Sequence, residues 1–239
     1  SGGSKMTNTA GHAVLEAARQ VKVQLAPMAA VAMGARSAEW VSTGDIGMPP
    51  TGWRGDNGQF ISLEAVATEL VQEGTPEAHA QATVRAPRSP DPGICVQIAE
   101  VEVDSESGQV TLRRMVTAQD VGTIINTVGH QGQINGSVVQ GIGHALMEEL
   151  VVEDGRVMTP NFNDYRMPTT EDLPELTTVH VFEPGMGPYT SKSIGEIAII
   201  PTAGAIANAV ADAIGAPVRE LPITAERVLA AIRDRRAGR

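Results

Sequence analysis

The protein has 239 residues and a mass of 25.0 kDa, and its 18 Lys and Arg against 28 Asp and Glu give a formal charge of −10. This acidity argues against a nucleic-acid partner, which needs clustered positive charge, and a hydrophobic content of 42% excludes a largely disordered chain. The one cysteine, Cys95, excludes an intrachain disulfide and any Cys-ligated zinc or iron–sulfur site built from this chain alone.

The first third of the sequence predicts two helices separated by a loop. Apolar residues recur at helical spacing over residues 11 to 33, where Pro27 is expected to end or kink the helix. Five glycines and two prolines between Thr43 and Gly58 predict a loop. That loop would join a short strand around Trp40 to a helix that begins at Ser62.

The middle of the sequence predicts a β-hairpin followed by a glycine-containing helix. Alternating valines flank the turn at residues 104 to 108, in which Gly108 supplies a positive φ. An apolar stripe over Gly132 to Leu150 predicts a helix, although each interior glycine costs about 1 kcal/mol relative to alanine. We therefore expect another helix or a ligand to press against its backbone.

The last part of the sequence predicts two further helices. One runs from Thr202 to Ile214 and is stopped by Gly215, and the other begins at the N-cap Thr224 and ends near Ile232. The arginines in residues 233–239 are interpreted as a basic, solvated tail. Helices and strands alternate without a regular βαβ period, which predicts an α+β fold with mixed sheets and packed helices.

Few residues stand out as candidates for chemistry. The five histidines show no metal-ligand spacing and are interpreted as surface or hydrogen-bonded core residues. Glu196 follows a glycine and precedes four apolar residues, which would remove water from its carboxylate, raise its pKa and suit it to act as a general base. The alternative is an exposed loop glutamate, and Lys192 is its candidate salt-bridge partner.

Residues 1 to 232 contain a series of short motifs in a fixed order along the chain. They include Asp120-Val-Gly-Thr-Ile-Ile-Asn126, Gly132-Gln133-Ile-Asn-Gly136, Gly187-Pro188-Tyr189, Ser191-Lys192-Ser193-Ile-Gly195-Glu196 and Leu221-Pro222-x-Thr224. The series resembles the molybdenum-binding large subunit of the xanthine dehydrogenase and aldehyde oxidase family. The resemblance implies that residues 1–232 form the second, C-terminal half of a molybdopterin-binding domain, with a division into two subdomains near residue 120 as one option.

The resemblance also implies an activity and a set of site residues. Family members oxidise aldehydes or N-heterocycles with water as the oxygen source, and Glu196 matches the catalytic glutamate that removes a proton from a molybdenum-bound hydroxyl. The metal would be held by the pterin dithiolene and by no side chain directly. Residues that match the family's cofactor contacts are Gly2, Gly3, Ser4, Gly132, Gln133, Lys192, Ser193, Ile194 and Gly195.

Cofactors and partners follow from the same resemblance. The expected cofactor is molybdopterin in its cytosine dinucleotide form, with 2Fe-2S clusters and FAD on partner chains. Because the family's large subunit is roughly three times longer, we expect it to be split or cleaved before Ser1, so that this chain acts with the remainder and with iron–sulfur and flavin subunits. The alternative is a non-catalytic scaffold subunit that keeps the fold.

The sequence does not begin with a charged segment followed by an apolar stretch, as a targeting signal would. We interpret its apolar runs as shorter than the about 18 residues needed to span a bilayer. We therefore expect a cytoplasmic protein without a membrane span.

Overall fold

A computed structural model describes residue 4 and residues 6–42, 51–72, 78–85 and 93–238. The chain divides into two units, the first formed by residues 1–8 and 87–239 and the second by residues 9–86. Each unit combines helices with its own sheet. The predicted α+β class is therefore confirmed.

The second unit packs two helices against a three-stranded antiparallel sheet of order β1-β2-β3. Its elements are α1 (Gly11–Ala32), β1 (Ala38–Ser42), β2 (Thr51–Gly55), β3 (Phe60–Ser62) and α2 (Leu63–Gln72). Trp53 is 1% exposed and meets Trp40 edge-on across the β1–β2 pair, with ring centroids 4.8 Å apart. These two aromatic rings anchor the small core of this unit.

Two features of this unit differ from the prediction. Of the two outcomes expected at Pro27, an end of the helix does not occur, since α1 continues to Ala32 and Ala29 and Ala30 beyond the proline are buried. The predicted loop between Thr43 and Gly58 contains strand β2, which Trp53 fixes in the core. Residues 43–50 of that loop lie outside the described residues.

The first unit carries two long helices on a three-stranded sheet of order β4-β5-β8, in which β5 runs antiparallel to β4 and parallel to β8. Strand β8 has no counterpart among the predicted elements. The unit's elements are β4 (Ile94–Val103), β5 (Val110–Asp120), α3 (Thr127–Leu146), β6 (Val152–Glu153), β7 (Arg156–Val157), β8 (Glu175–Val181), α4 (Thr202–Ile214) and α5 (Ala225–Arg236), with 3₁₀ turns at Pro188–Thr190 and Ile197–Ile199.

The β4–β5 hairpin is confirmed, since Val103 lies opposite Val110 and Gly108 has a φ of +78°. A division near residue 120 does not match the observed units. Strand β5 ends at residue 120 and pairs with β8, which lies after that residue in the sequence. The segments before and after residue 120 therefore belong to one sheet.

Residues 233–238 are exposed, which agrees with the interpretation of this segment as solvated, but residues 233 to 236 belong to a helix. Helix α5 extends to Arg236, and Thr224 is its N-cap as predicted, accepting a bond from the Arg227 N–H. Arg235 Nη1 donates to the Ile214 carbonyl at 2.7 Å, which satisfies a backbone acceptor at the C-terminal end of α4. One arginine of the segment thus has a structural role.

The glycines of α3 meet different surroundings. A Cβ on Gly141 would lie 2.5 Å from Thr202 Cβ at the start of α4, whereas a Cβ on Gly136 would meet no atom within 4 Å. The expected close neighbour is therefore helix α4 at Gly141, and the space beside Gly136 is open. The glycine at 141 lets two helices approach closely.

By length and composition alone, the stretch Ile197–Ile214 is apolar enough to cross a membrane, contrary to the sequence interpretation. In the fold it comprises a 3₁₀ turn and the 13-residue helix α4, which is about 20 Å long and shorter than a hydrocarbon core of about 30 Å. Helix α4 buries Ile206 and Val210 in the core of the first unit.

Candidate functional site

Two loops of the first unit are bound to each other beside the end of β5. The first connects β5 to α3 (residues 121–126), and the second spans residues 187–196 before α4. Lys192 N–H donates to the Val121 carbonyl at 2.7 Å, and Gly122 and Ser191 form an isolated antiparallel bridge. Gly122 has a φ of +62°, and a Cβ there would collide with the Thr190 carbonyl, so glycine is required at this close approach.

A buried ion pair reinforces this junction. Lys192 Nζ donates to Asp120 Oδ2 at 2.6 Å, and the two side chains are 7% and 6% exposed. Burial would raise the pKa of Asp120, but the hydrogen bond from Lys192 and those from the Gly122 and Glu183 N–H groups hold this pKa below its ordinary value. Lys192 is therefore not the partner of Glu196, and that prediction was wrong.

The first turn of α3 lies beside the same two loops. Asn126 is its N-cap, and its Oδ1 accepts from the Gly129 N–H at 2.7 Å. The helix thus begins at Thr127, five residues before the predicted start. Its N-terminal end carries partial positive charge, which favours an anion nearby.

A pocket of about 350 Å³ lies between the two loops and the N-terminal end of α3. Four of the predicted cofactor contacts line it, which are Ser4, Gln133, Lys192 and Ile194. Gly132, Ser193 and Gly195 are chain neighbours of these residues, whereas Gly2 and Gly3 lie outside the described residues. Four of the nine predicted contacts therefore line one pocket although they are far apart in sequence.

Ser4 holds the second loop in position. Its backbone has a left-handed φ of +54°, and its Oγ accepts from the N–H groups of Ile194 and Gly195 at 3.1 and 3.0 Å. Asn8 Nδ2 donates to Ser193 Oγ at 2.9 Å. Ser4 and Asn8 thus fix the segment that immediately precedes Glu196.

Glu196 lies at the start of the Ile197–Ile199 turn, two residues beyond the pocket-lining Ile194. Its side chain is exposed, and among the described residues no hydrogen bond to its carboxylate is found. The expected burial by the apolar residues that follow was wrong for this chain by itself. Of those residues only Ala198 is buried, where its carbonyl accepts from Gln97 Nε2, and Ile200 is 76% exposed.

His130 and Ser191 also line the pocket, and the sequence interpretation did not single out either of them. They are 6% and 3% exposed, and His130 Nε2 and Ser191 Oγ are buried atoms without a hydrogen-bond partner among the described residues. His130 is thus not the hydrogen-bonded core residue that was expected. The one available signal was its position one turn into a helix that follows the Asp120–Asn126 motif.

His180 of β8 stacks on His130 in a tilted arrangement, with ring centroids 4.8 Å apart. Burial lowers the pKa of His130, and the neighbouring His180 lowers it further. The His130 ring is therefore neutral at neutral pH, and one of its nitrogens carries a proton that it can donate.

Residues 1–174 match the model of one protein family, whose description is molybdopterin cofactor-binding domain. The chain is 38% identical over 153 residues to the putative xanthine dehydrogenase molybdenum-binding subunit XdhA of Escherichia coli K12, a match that covers 62% of this chain and 20% of that protein. It is 32% identical over 208 residues to a probable xanthine dehydrogenase component of Bacillus subtilis 168, covering 82% of this chain and 27% of that protein.

Among solved structures, quinoline 2-oxidoreductase from Pseudomonas putida 86 matches with a TM-score of 0.71 and 27% identity. The match covers 90% of this chain and 28% of that one. The chain therefore spans less than a third of the length of each of these three relatives.

Proposed function

The chain belongs to the molybdopterin cofactor-binding domain family, and from that premise we propose that it forms the cofactor-contacting part of a molybdenum hydroxylase in which Glu196 is the general base. The observation that supports this proposal is the convergence of Ser4, Gln133, Lys192 and Ile194 on one pocket immediately before Glu196. These residues lie up to 190 positions apart, and the fold brings them together.

The pocket suits a molybdopterin, which presents a polar ring and a phosphate. Ser191 is one of the residues that line the pocket, and its Oγ is buried with no hydrogen-bond partner among the described residues. Gln133 and the backbone of residues 193–195 would hold the cofactor. The Ser4 hydroxyl accepts two bonds from that backbone and keeps its own proton to donate. When bound, the molybdenum centre supplies the two-electron oxidation.

Glu196 would act on a proton. Conversion of a C–H group to C–OH with oxygen from water releases two electrons and two protons, and the Glu196 carboxylate accepts one of these protons. A general base must lie within hydrogen-bond reach of the proton that it removes. The Ser4 bonds to Ile194 and Gly195 fix the chain just before this carboxylate and so limit its range of positions.

The remainder of the enzyme completes the site in this proposal. Glu196 is exposed in this chain, so other parts of the enzyme would exclude water from its carboxylate. Iron–sulfur clusters and a flavin would lie on partner chains, because Cys95 is the one cysteine here and clusters need several thiolates. The cytosine dinucleotide form of the cofactor and a cytoplasmic location belong to the same proposal.

The substrate class is an aldehyde or an N-heterocycle. Xanthine and quinoline appear in the names of two relatives, and both are N-heterocycles with electron-poor ring carbons. The competing proposal is a non-catalytic scaffold subunit, which would carry no metal. Molybdenum analysis and the visible spectrum of the assembled complex distinguish the two.

Replacement of Glu196 by glutamine in the assembled enzyme tests the assigned base. Glutamine keeps the size of the side chain but cannot accept a proton at neutral pH, so we expect kcat to fall by about 10²–10⁴-fold with molybdenum content unchanged. The matched control is Glu153→Gln, an exposed glutamate of β6. Turnover of E196Q close to that of the parent enzyme would refute the role of Glu196.

A further inference from the structure

The turn that follows Glu196 is joined to the sheet by a side chain of β4. Gln97 Nε2 donates to the Ala198 carbonyl at 2.8 Å, although the two residues lie 101 positions apart in the sequence. The same Nε2 donates to Thr117 Oγ1 of β5 at 3.2 Å. The Gln97 amide therefore connects β4 and β5 with the turn Ile197–Ile199.

The contacts determine which way the Gln97 amide faces. A carbonyl oxygen can only accept a hydrogen bond, so Ala198 requires the NH₂ end of the amide and not its oxygen. Thr117 lies directly opposite Gln97 in the antiparallel pairing of β4 and β5 and is 2% exposed. Ala198 is 1% exposed. Both contacts of the amide are therefore shielded from water, which strengthens a hydrogen bond.

A second donor to the same carbonyl does not replace the contact from Gln97. Thr202 Oγ1 donates to the Ala198 carbonyl at 2.9 Å, but Thr202 begins α4 and follows the turn directly in the sequence. This bond therefore holds the turn to its own continuation in the chain. Among the described residues, the bond from Gln97 is the hydrogen bond that holds residues 196–199 to the sheet.

Glu196 thus lies between two anchored points of the backbone. On its N-terminal side, Ser4 Oγ accepts from the N–H groups of residues 194 and 195. On its C-terminal side, Gln97 holds the Ala198 carbonyl. The Glu196 carboxylate itself is exposed and accepts no hydrogen bond from a described residue, so its position depends on these two anchors.

We propose that Gln97 is a positioning residue for Glu196, because its bond to Ala198 sets the place of the turn that follows the base. The inference rests on the proposed function and deepens it. Gln97 acts through the backbone, without contact to substrate or cofactor and without a part in proton transfer. A displacement of about 1 Å in a reacting group can cost about 10²-fold in rate, so a bond that limits such a displacement contributes to turnover.

Replacement of Gln97 by methionine in the assembled enzyme tests this role. Methionine is similar in length and unbranched, but it cannot donate a hydrogen bond. We expect kcat to fall about tenfold with KM and molybdenum content unchanged, because the base is displaced while substrate and cofactor binding remain. Each variant is assayed well below its melting temperature.

The matched control is Gln24→Met. Gln24 Nε2 also donates to a distant backbone carbonyl, that of His79 at 2.9 Å, but within the second unit. Q24M should have the kcat of the parent enzyme. Parent-like kcat in Q97M would overturn the proposal, also when its melting temperature is lower, since a purely structural role predicts that result.

The double variant Q97M/E196Q separates the positioning of Glu196 from a general effect on the enzyme. If Gln97 acts through Glu196, its replacement should lower kcat no further once the base is absent. A second tenfold fall in the E196Q background would contradict the positioning role.

The parent enzyme and the three variants at these two positions also distinguish failure of this inference from failure of the proposed function. Low turnover of E196Q together with parent-like turnover of Q97M refutes the inference alone. Parent-like turnover of E196Q refutes the proposed base and, with it, the positioning role of Gln97.

Discussion

At the scale of single residues, the buried pair of Asp120 and Lys192 joins the two loops of the site. Their positions could not have been paired from the sequence, because 72 residues separate them and Lys192 lies only four residues from Glu196. The spacing in the sequence favoured Glu196 as the partner of Lys192, whereas in the structure Lys192 pairs with the buried Asp120. A charge 7% exposed needs a partner that is equally buried.

Replacement of Asp120 by asparagine should destabilise the protein. It removes the Asp120 carboxylate from the buried ion pair with Lys192, and loss of one partner of a buried pair costs about 3–5 kcal/mol. Denaturant unfolding of D120N measures this free energy, and Asp154→Asn, at an exposed turn, is the control. A loss below about 1 kcal/mol would contradict the account.

The difference in unfolding free energy between the parent protein and D120N depends on pH through the pKa of Asp120. Its folded-state pKa lies below the unfolded value, so the carboxylate contributes stability that is fully present above the unfolded pKa near 4. This contribution is lost as the pH falls through the folded-state pKa. The stability difference between parent and D120N should therefore narrow only in acid.

Glu196 and His130 show the limits of sequence reasoning at this scale. The resemblance identified the segment that carries Glu196, but its exposure depends on which of the following residues are buried, and only Ala198 is. His130 lacked any metal-ligand spacing, and nothing in the sequence indicated that its Nε2 would be buried with no hydrogen-bond partner among the described residues.

At the scale of elements, the helices were predicted well where an apolar stripe marks them. The start of α3 was missed because residues 127–131 carry no such stripe and the Asn126 cap determines it instead. Strand β8 was missed because its residues are mostly exposed and its partner β5 lies far away in sequence. Parallel pairing leaves no local turn signal.

Two glycine substitutions in α3 test its packing. Gly136→Ala should raise the free energy of unfolding by about 1 kcal/mol, because alanine favours a helix and its Cβ meets no atom within 4 Å. Gly141→Ala should lower it by about 1–3 kcal/mol, because the new Cβ would overlap Thr202. Thermal unfolding measures both, and stabilisation by both substitutions would contradict the close approach of α3 and α4.

At the scale of the whole molecule, the chain matches only part of the length of its relatives. It spans 20% of the Escherichia coli relative and 28% of the quinoline 2-oxidoreductase chain. The motif series predicted the family and the site segments without any knowledge of the rest. The substrate could not be predicted, because in the proposed function other parts of the enzyme would surround it.

The position of molybdenum in the assembled enzyme tests the central claim most directly. Crystals of the complex, measured on both sides of the molybdenum absorption edge, locate the metal by its anomalous scattering. The account predicts one strong peak beside the pocket, with the Glu196 carboxylate the nearest acidic side chain of this chain. A peak distant from Glu196, with that carboxylate facing bulk solvent, would contradict it.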